Sequence, residues 1–140
     1  MKLKQLAAAA AFTLLSTSAL AGPADDARSH LQAIAAGDLD EIMAGYGPDA
    51  VFQWVGGPLD GAYKGTDSIR GVWTKFAKAN APLEARIDKI EESANPSGST
   101  VTANVTFSGK NTIKVRYVLT YRAGKLVNEV WQIDPKLGSY

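Results

Sequence analysis

An α+β fold is predicted, one curved antiparallel sheet covered by three helices, and two observations predict it. From Leu83 to Ile133 the chain alternates apolar and polar residues in runs separated by turn residues, the period of half-buried strands. Before Leu83, apolar residues recur at helical spacing in three amphipathic stretches. A sheet with one apolar face needs a cover, and helices gathered on one face of an antiparallel sheet supply it.

The first 21 of the 140 residues stand apart. Lys2 and Lys4 form a basic start and Leu6 to Leu15 an apolar run too short to span a bilayer comfortably. Ala19-Leu20-Ala21 has small residues one and three positions before a cut, so residues 1–21 read as a cleaved signal peptide. Residues 22–140, 119 in all, then form a single domain, enough for one core, and the product is expected in the periplasm or secreted.

The mature chain carries 13 basic and 14 acidic residues, which gives no electrostatic footprint for nucleic acid. With no cysteine there are no disulfides and no thiolate chemistry, and the core alone must hold the fold in an oxidising compartment. A single histidine and scattered carboxylates form no recognisable metal-ligand cluster, so no metal or cofactor is expected.

Helix one is expected over Pro23 to Ala36, with Asp25 and Asp26 at its positive end and Ala27, Leu31, Ile34 and Ala35 in one stripe that has His30 at its edge. Gly37 ends it. Asp38 caps a second helix, with Glu41 at capping-box spacing and Leu39, Ile42, Met43 and Tyr46 as its buried face up to the stop at Gly47-Pro48. Ala50 to Val55 reads as a strand, turned by Gly56-Gly57-Pro58 towards a short return at Ala62-Tyr63. Gly65-Thr66-Asp67 opens a third helix, where Ile69, Val72, Trp73, Phe76 and Ala77 follow helical spacing to a close at Asn80 to Pro82. Four long strands follow, with turns at Asn95 to Gly98, Gly109 to Asn111 and Ala123 to Lys125.

The run Ala36 to Ile42, then Tyr46 and Pro48 to Phe52, then Gly65 through Ile69-Arg70 to Trp73, resembles the nuclear transport factor 2-like (NTF2-like) superfamily, and most closely its SnoaL-like and ketosteroid-isomerase-like members. The likeness covers the whole mature chain. It implies a cone made by a strongly bent sheet wrapped around the helices, a pocket opening into the cone, and often a homodimer packed through the outer sheet faces. The fold hosts isomerases, cyclases, dehydratases and non-catalytic binding or assembly modules, so it does not choose among them.

Ketosteroid isomerase uses an aspartate base with a tyrosine and a protonated aspartic acid as oxyanion donors. By alignment on the shared motifs, His30, Trp54 and Tyr117 fall at those positions. None matches, and steroid isomerisation is not expected.

His30 is a candidate general acid or base on an otherwise apolar helix face. Glu129 shares a strand face with Val127, Trp131 and Ile133, where a carboxylate has to be paired. Two partners offer themselves. A hypothetical dyad with His30 is one; a cross-strand ion pair with Lys114, Arg116 or Arg122 at the wide, wet end of the cone is the more ordinary and the favoured one. Most of the aromatic residues are expected in the core. Trp54, Trp73, Tyr117 and Trp131 are the candidates for lining a pocket, and Tyr117 could donate to a ligand carbonyl. The leading functional expectation is a pocket for a small apolar or aromatic molecule. The alternatives are a cofactor-independent isomerase, dehydratase or cyclase using His30 with Glu129 or Tyr117, and a dimeric interaction module whose pocket is filled by its own aromatics.

Overall fold

The computed structural model describes residues 22–139, so the expected leader lies outside the described residues. Helices α1 (Pro23–Ala36) and α2 (Leu39–Ala44) lead into strand β1 (Tyr46–Val55), a short return β2 (Gly61–Lys64) and helix α3 (Thr66–Asn80). Strands β3 (Glu84–Asn95), β4 (Gly98–Ser108), β5 (Thr112–Arg122) and β6 (Lys125–Ile133) follow as a meander. The six strands form one unclosed sheet in the order β2-β1-β6-β5-β4-β3. Every pairing is antiparallel except β1 with β6, which run parallel because α3 and the meander intervene between them in the chain.

The α+β reading holds, and so do the bounds of α1 and α3 and the four long strands. The region around Tyr46 differs. Helix α2 stops at Ala44, and Tyr46 is the first residue of β1, paired with Leu126, rather than the last turn of a helix. Six residues are too short a helix to hold Tyr46 against the hydrogen bonds that β6 offers.

Three register shifts interrupt the sheet, one in the β1–β6 pairing between Tyr46 and Val51 and two in the meander. The β3–β4 register shifts between Asp88 and Glu91, where Lys89 takes a φ of 50°, and such a bulge bends a strand. A second shift, between Thr120 and Tyr121, sets Tyr121 opposite Leu126 but Thr120 opposite Asn128. As a result Leu126, and not Val127, is the buried residue at the start of β6, while Glu129 and Trp131 keep the inward face expected of them.

The helices fill the concave side. Ala27, Leu31 and Ile34 of α1 and Ile69, Val72, Trp73 and Phe76 of α3 meet Val101, Val105, Phe107, Val115, Tyr117 and Leu119 from the sheet. The core is dominated by rings. Trp131 stacks on Trp54 at 4.5 Å between centroids and on Phe107 at 5.2 Å, and meets Phe76 edge-on at 5.2 Å. Phe52 stacks on Trp73 at 5.1 Å. In a chain with no disulfide, this interlocked aromatic layer carries a large share of the apolar burial.

Candidate functional site

Two features on opposite sides of that aromatic layer are candidates, a buried polar cluster and an open apolar pocket.

The cluster is built on Glu129, whose side chain is fully buried (0% exposed). Strand alternation forces it inward between Trp131 and the bulge, and three elements send donors to it. Tyr117, from the facing strand β5, donates its hydroxyl to Oε2 at 2.6 Å. His30, from the sheet-facing side of α1, places Nε2 2.6 Å from the same oxygen. Tyr46, at the head of β1, donates to Oε1. Trp73 on α3 donates its indole N–H to the Tyr46 hydroxyl at 2.8 Å, so that hydroxyl both gives and receives. An ionised carboxylate only accepts, and these partners occupy both of its oxygens. Burial, and then the negative charge of Glu129, push the Tyr46 and Tyr117 hydroxyls well above the ordinary tyrosine range. Tyr121 is raised for the same two reasons.

The favoured sequence reading of Glu129 is therefore corrected. It is not at a wet end of the cone and pairs with none of Lys114, Arg116 and Arg122; the side chain that meets it from outside the sheet is His30. The three cations are exposed on β5, one residue out of phase with the buried positions, and Lys114 lines the open apolar pocket instead of approaching the carboxylate. Sequence reasoning missed Tyr46 as a member of the cluster, because it was assigned to a helix. The parallel pairing of β1 with β6 brings it to the carboxylate, and Gly45, which caps α2 directly before it, is the signal in the sequence for the earlier helix end.

A cavity of about 270 Å³ borders the cluster on the His30 side, lined by Asp26, Ser29, His30, Glu41, Tyr121 and Leu126 among others. Partial burial and the adjacent Asp25 raise the Asp26 carboxyl above its usual range.

The second feature is a larger pocket of about 690 Å³ at the other end of the cone. Trp54, Leu59, Phe76, Ile113, Trp131 and Ile133 form its apolar lining, drawn from β1, the β1–β2 loop, α3, β5 and β6. Lys75, Asn80, Asn111 and Lys114 also line it. Trp54 and Trp131, two of the four proposed lining residues, are thus on the pocket. Trp73 and Tyr117 are not; both are fully buried and their polar atoms are engaged in the Glu129 cluster. Trp131 separates the two features, touching Tyr117 and Trp73 at 5.7 Å on one side and lining the pocket on the other. Its indole nitrogen is the one buried side-chain polar atom among the described residues with no hydrogen-bond partner. Among the described residues no three His, Cys, Asp or Glu side chains gather as a metal site would require.

Comparison with known proteins places this geometry in a family. No curated protein matches the chain in sequence. Among solved structures, it is similar to an NTF2-like protein of unknown function from Pseudomonas putida KT2440, with 16% identity over 81% of this chain and 85% of that one and a TM-score of 0.68. It is also similar to Rv0760c from Mycobacterium tuberculosis, described in complex with estradiol-17β-hemisuccinate, with 21% identity over 80% and 93% of the two chains and a TM-score of 0.60. A third, from Nostoc punctiforme PCC 73102, is a protein of unknown function with a cystatin-like fold; it shares 15% identity over 83% and 91% of the chains, with a TM-score of 0.63. At these identities the likeness establishes the fold. The sequence itself matches the SnoaL-like domain over residues 27–129, from the first buried residue of α1 to the carboxylate at the centre of the cluster. The chain belongs to the SnoaL-like domain family, and it has the fold of the NTF2-like structures to which it is similar.

Proposed function

We propose that this protein binds a small, largely apolar organic molecule in the pocket lined by Trp54, Phe76 and Trp131. The observation that carries the reading is the pocket itself, about 690 Å³ with an aromatic and aliphatic lining, a volume within the roughly 300–1,000 Å³ of small-molecule sites. The steroid ester bound by the Mycobacterium tuberculosis neighbour is a rigid apolar body of the same general class. Native mass spectrometry of the protein purified from its own source tests the proposal. A retained small molecule that is lost on Trp131→Ala is the expected result. A mass without adduct, together with no binding of apolar dyes, would overturn it in favour of an interaction module.

A second reading, a cofactor-independent isomerase, dehydratase or cyclase, is favoured by the 2.6 Å contact of His30 with Glu129, with Tyr117 donating to the same oxygen. Glu129 would hold the imidazole in one orientation while the ring exchanges a proton with a substrate reaching it from the 270 Å³ cavity. Turnover of the co-purified molecule by the natural protein and none by His30→Ala would support this reading; an unchanged molecule after prolonged incubation would end it.

The proposed setting is export. Lys2 and Lys4, the apolar run and Ala19-Leu20-Ala21 support cleavage after Ala21, and amino-terminal sequencing of the mature protein should begin at Gly22. A homodimer through the outer face of β4 and β5 is also proposed. It is supported by the half-buried Thr102, Asn104, Thr106 and Val118 on that face, and light scattering at high concentration reads it directly.

A further inference from the structure

We infer that the molecule taken by the 690 Å³ pocket is an amphipathic anion, with an aromatic or polycyclic body against Trp54, Phe76 and Trp131 and an acidic head at the rim between Lys75 and Lys114. The inference rests on the pocket-binding reading above and adds a chemical class to it.

Charge carries the argument. Lys75 comes from α3 and Lys114 from β5, two elements far apart in sequence that the fold brings to one opening. Both are exposed, and neither makes an ion pair or a side-chain hydrogen bond among the described residues. None of the residues lining the pocket is Asp or Glu. The mature chain is otherwise nearly balanced in charge, so a pocket lining with two lysines and no carboxylate is a local departure from the protein's average, although Asp134, between the lining Ile133 and Pro135, donates its backbone N–H to the Lys114 carbonyl. Asn80 and Asn111 line the same pocket with amide groups that can donate to an oxyanion, although the Asn80 amide already donates to the Phe76 carbonyl at 3.1 Å. Inside the rim the lining is aromatic and aliphatic, so charge is accommodated at the mouth and only apolar surface below it. A head group left at the mouth keeps part of its hydration, which avoids the desolvation penalty of a buried ion pair. Low-dielectric walls around a mouth of one sign also focus the field on an incoming anion.

Two dyes with the same body and different charge separate the head from the pocket. 1-Anilinonaphthalene-8-sulfonate carries a sulfonate; N-phenyl-1-naphthylamine does not. With the natural protein at low salt, the anionic dye should bind about three- to tenfold more tightly, the gain expected of one or two exposed charge contacts. That advantage should fade at high salt, as screening of an exposed contact requires. The double substitution Lys75→Ala with Lys114→Ala should remove it and leave the neutral dye unaffected. Lys125→Ala, at the start of β6 and off this pocket, should change neither. Equal affinity for the two dyes, or an advantage that survives the double substitution, overturns the anion class while the pocket stands. Failure of both dyes to bind, or binding that ignores Ala79→Trp in the pocket wall, overturns the pocket reading and this inference with it. All the substituted side chains are exposed, so loss of folding does not confound the comparison.

Discussion

Glu129 Oε2 lies 2.6 Å from His30 Nε2, a contact that spans 99 residues of chain and joins the last strand to the first helix. The same carboxylate receives Tyr46 from β1 and Tyr117 from β5. One side chain with no solvent exposure therefore holds four elements in register, and Trp73 adds α3 through Tyr46. Alternation of the strand puts Glu129 inside, and burial then makes each donor necessary, because a carboxylate without partners would not be tolerated there.

Glu129→Ala should be among the most destabilising single substitutions in the protein. It removes the acceptor from three donors and leaves them buried, and breaking a buried pair in this way costs about 3–5 kcal/mol. Urea unfolding followed by tryptophan fluorescence reads the loss. A change below about 1 kcal/mol, the usual worth of an exposed pair, would mean that the cluster is hydrated and does not hold the fold.

The two tyrosines should not be equivalent. Tyr117→Phe removes one of two donors on Oε2, where His30 remains. Tyr46→Phe removes the donor to Oε1 and also strips Trp73 of its acceptor. A lost hydrogen bond to a charged group is worth roughly 1.5–3 kcal/mol and an orphaned buried donor about 1–3 more, so Tyr46→Phe should exceed Tyr117→Phe by at least 1 kcal/mol in the same urea experiment.

The pattern of these contacts explains what the sequence could and could not say. Periodicity gave the inward face of β5 and the stripe of α1, because each is a local property of alternating or helical spacing. It also put Glu129 on the same face as Trp131. The identity of Glu129's partner was not local. It depends on what the fold brings to β6 from afar: β1, which pairs with its free side in parallel and carries Tyr46, and α1, which carries His30. Cross-strand cations such as Arg116 alternate with the inward face of β5, so an inward Glu129 and an outward cation on β5 do not meet. Likewise Trp54 and Trp131 reach the pocket while Trp73 and Tyr117 turn to the cluster, a division fixed by depth along the cone, which spacing does not encode.

Alkaline pH should open the structure from the cluster outward. The folded-state hydroxyls of Tyr46 and Tyr117 are raised well above the reference of 10.0, by burial first and Glu129 second. The folded protein therefore holds protons that the unfolded chain releases, and stability must fall wherever that difference exists. Stability is unaffected by these groups below pH 10 and declines as pH rises from there towards the folded values. Tyrosinate absorbance should show Tyr46, Tyr117 and Tyr121 ionising together with loss of the near-ultraviolet circular dichroism of the core. Ionisation of all five tyrosines with the core spectrum intact would contradict the buried network.

Gly37 and Gly124 provide a matched pair for the last prediction. Both have a φ of 73°, in the left-handed region, so an alanine at either meets the same backbone strain of about 1–2 kcal/mol. Their surroundings differ. A Cβ on Gly124 would meet nothing within 4 Å, whereas one on Gly37 would lie 2.7 Å from the Cβ of Ala81. That contact cannot relax cheaply, because the next residues are tied down: Leu83 donates its backbone N–H to the Ala35 carbonyl at 2.7 Å, and Ala81 closes α3 on Ala77 at 2.9 Å. Gly124→Ala should therefore show the conformational strain alone, and Gly37→Ala should add an overpacking penalty of about 1–3 kcal/mol. Thermal unfolding of the two variants measures the difference. Equal losses would mean that the junction of α1 with the end of α3 has room to shift, and that the close approach at Gly37 does not help set the angle at which α1 presents His30 to the cluster.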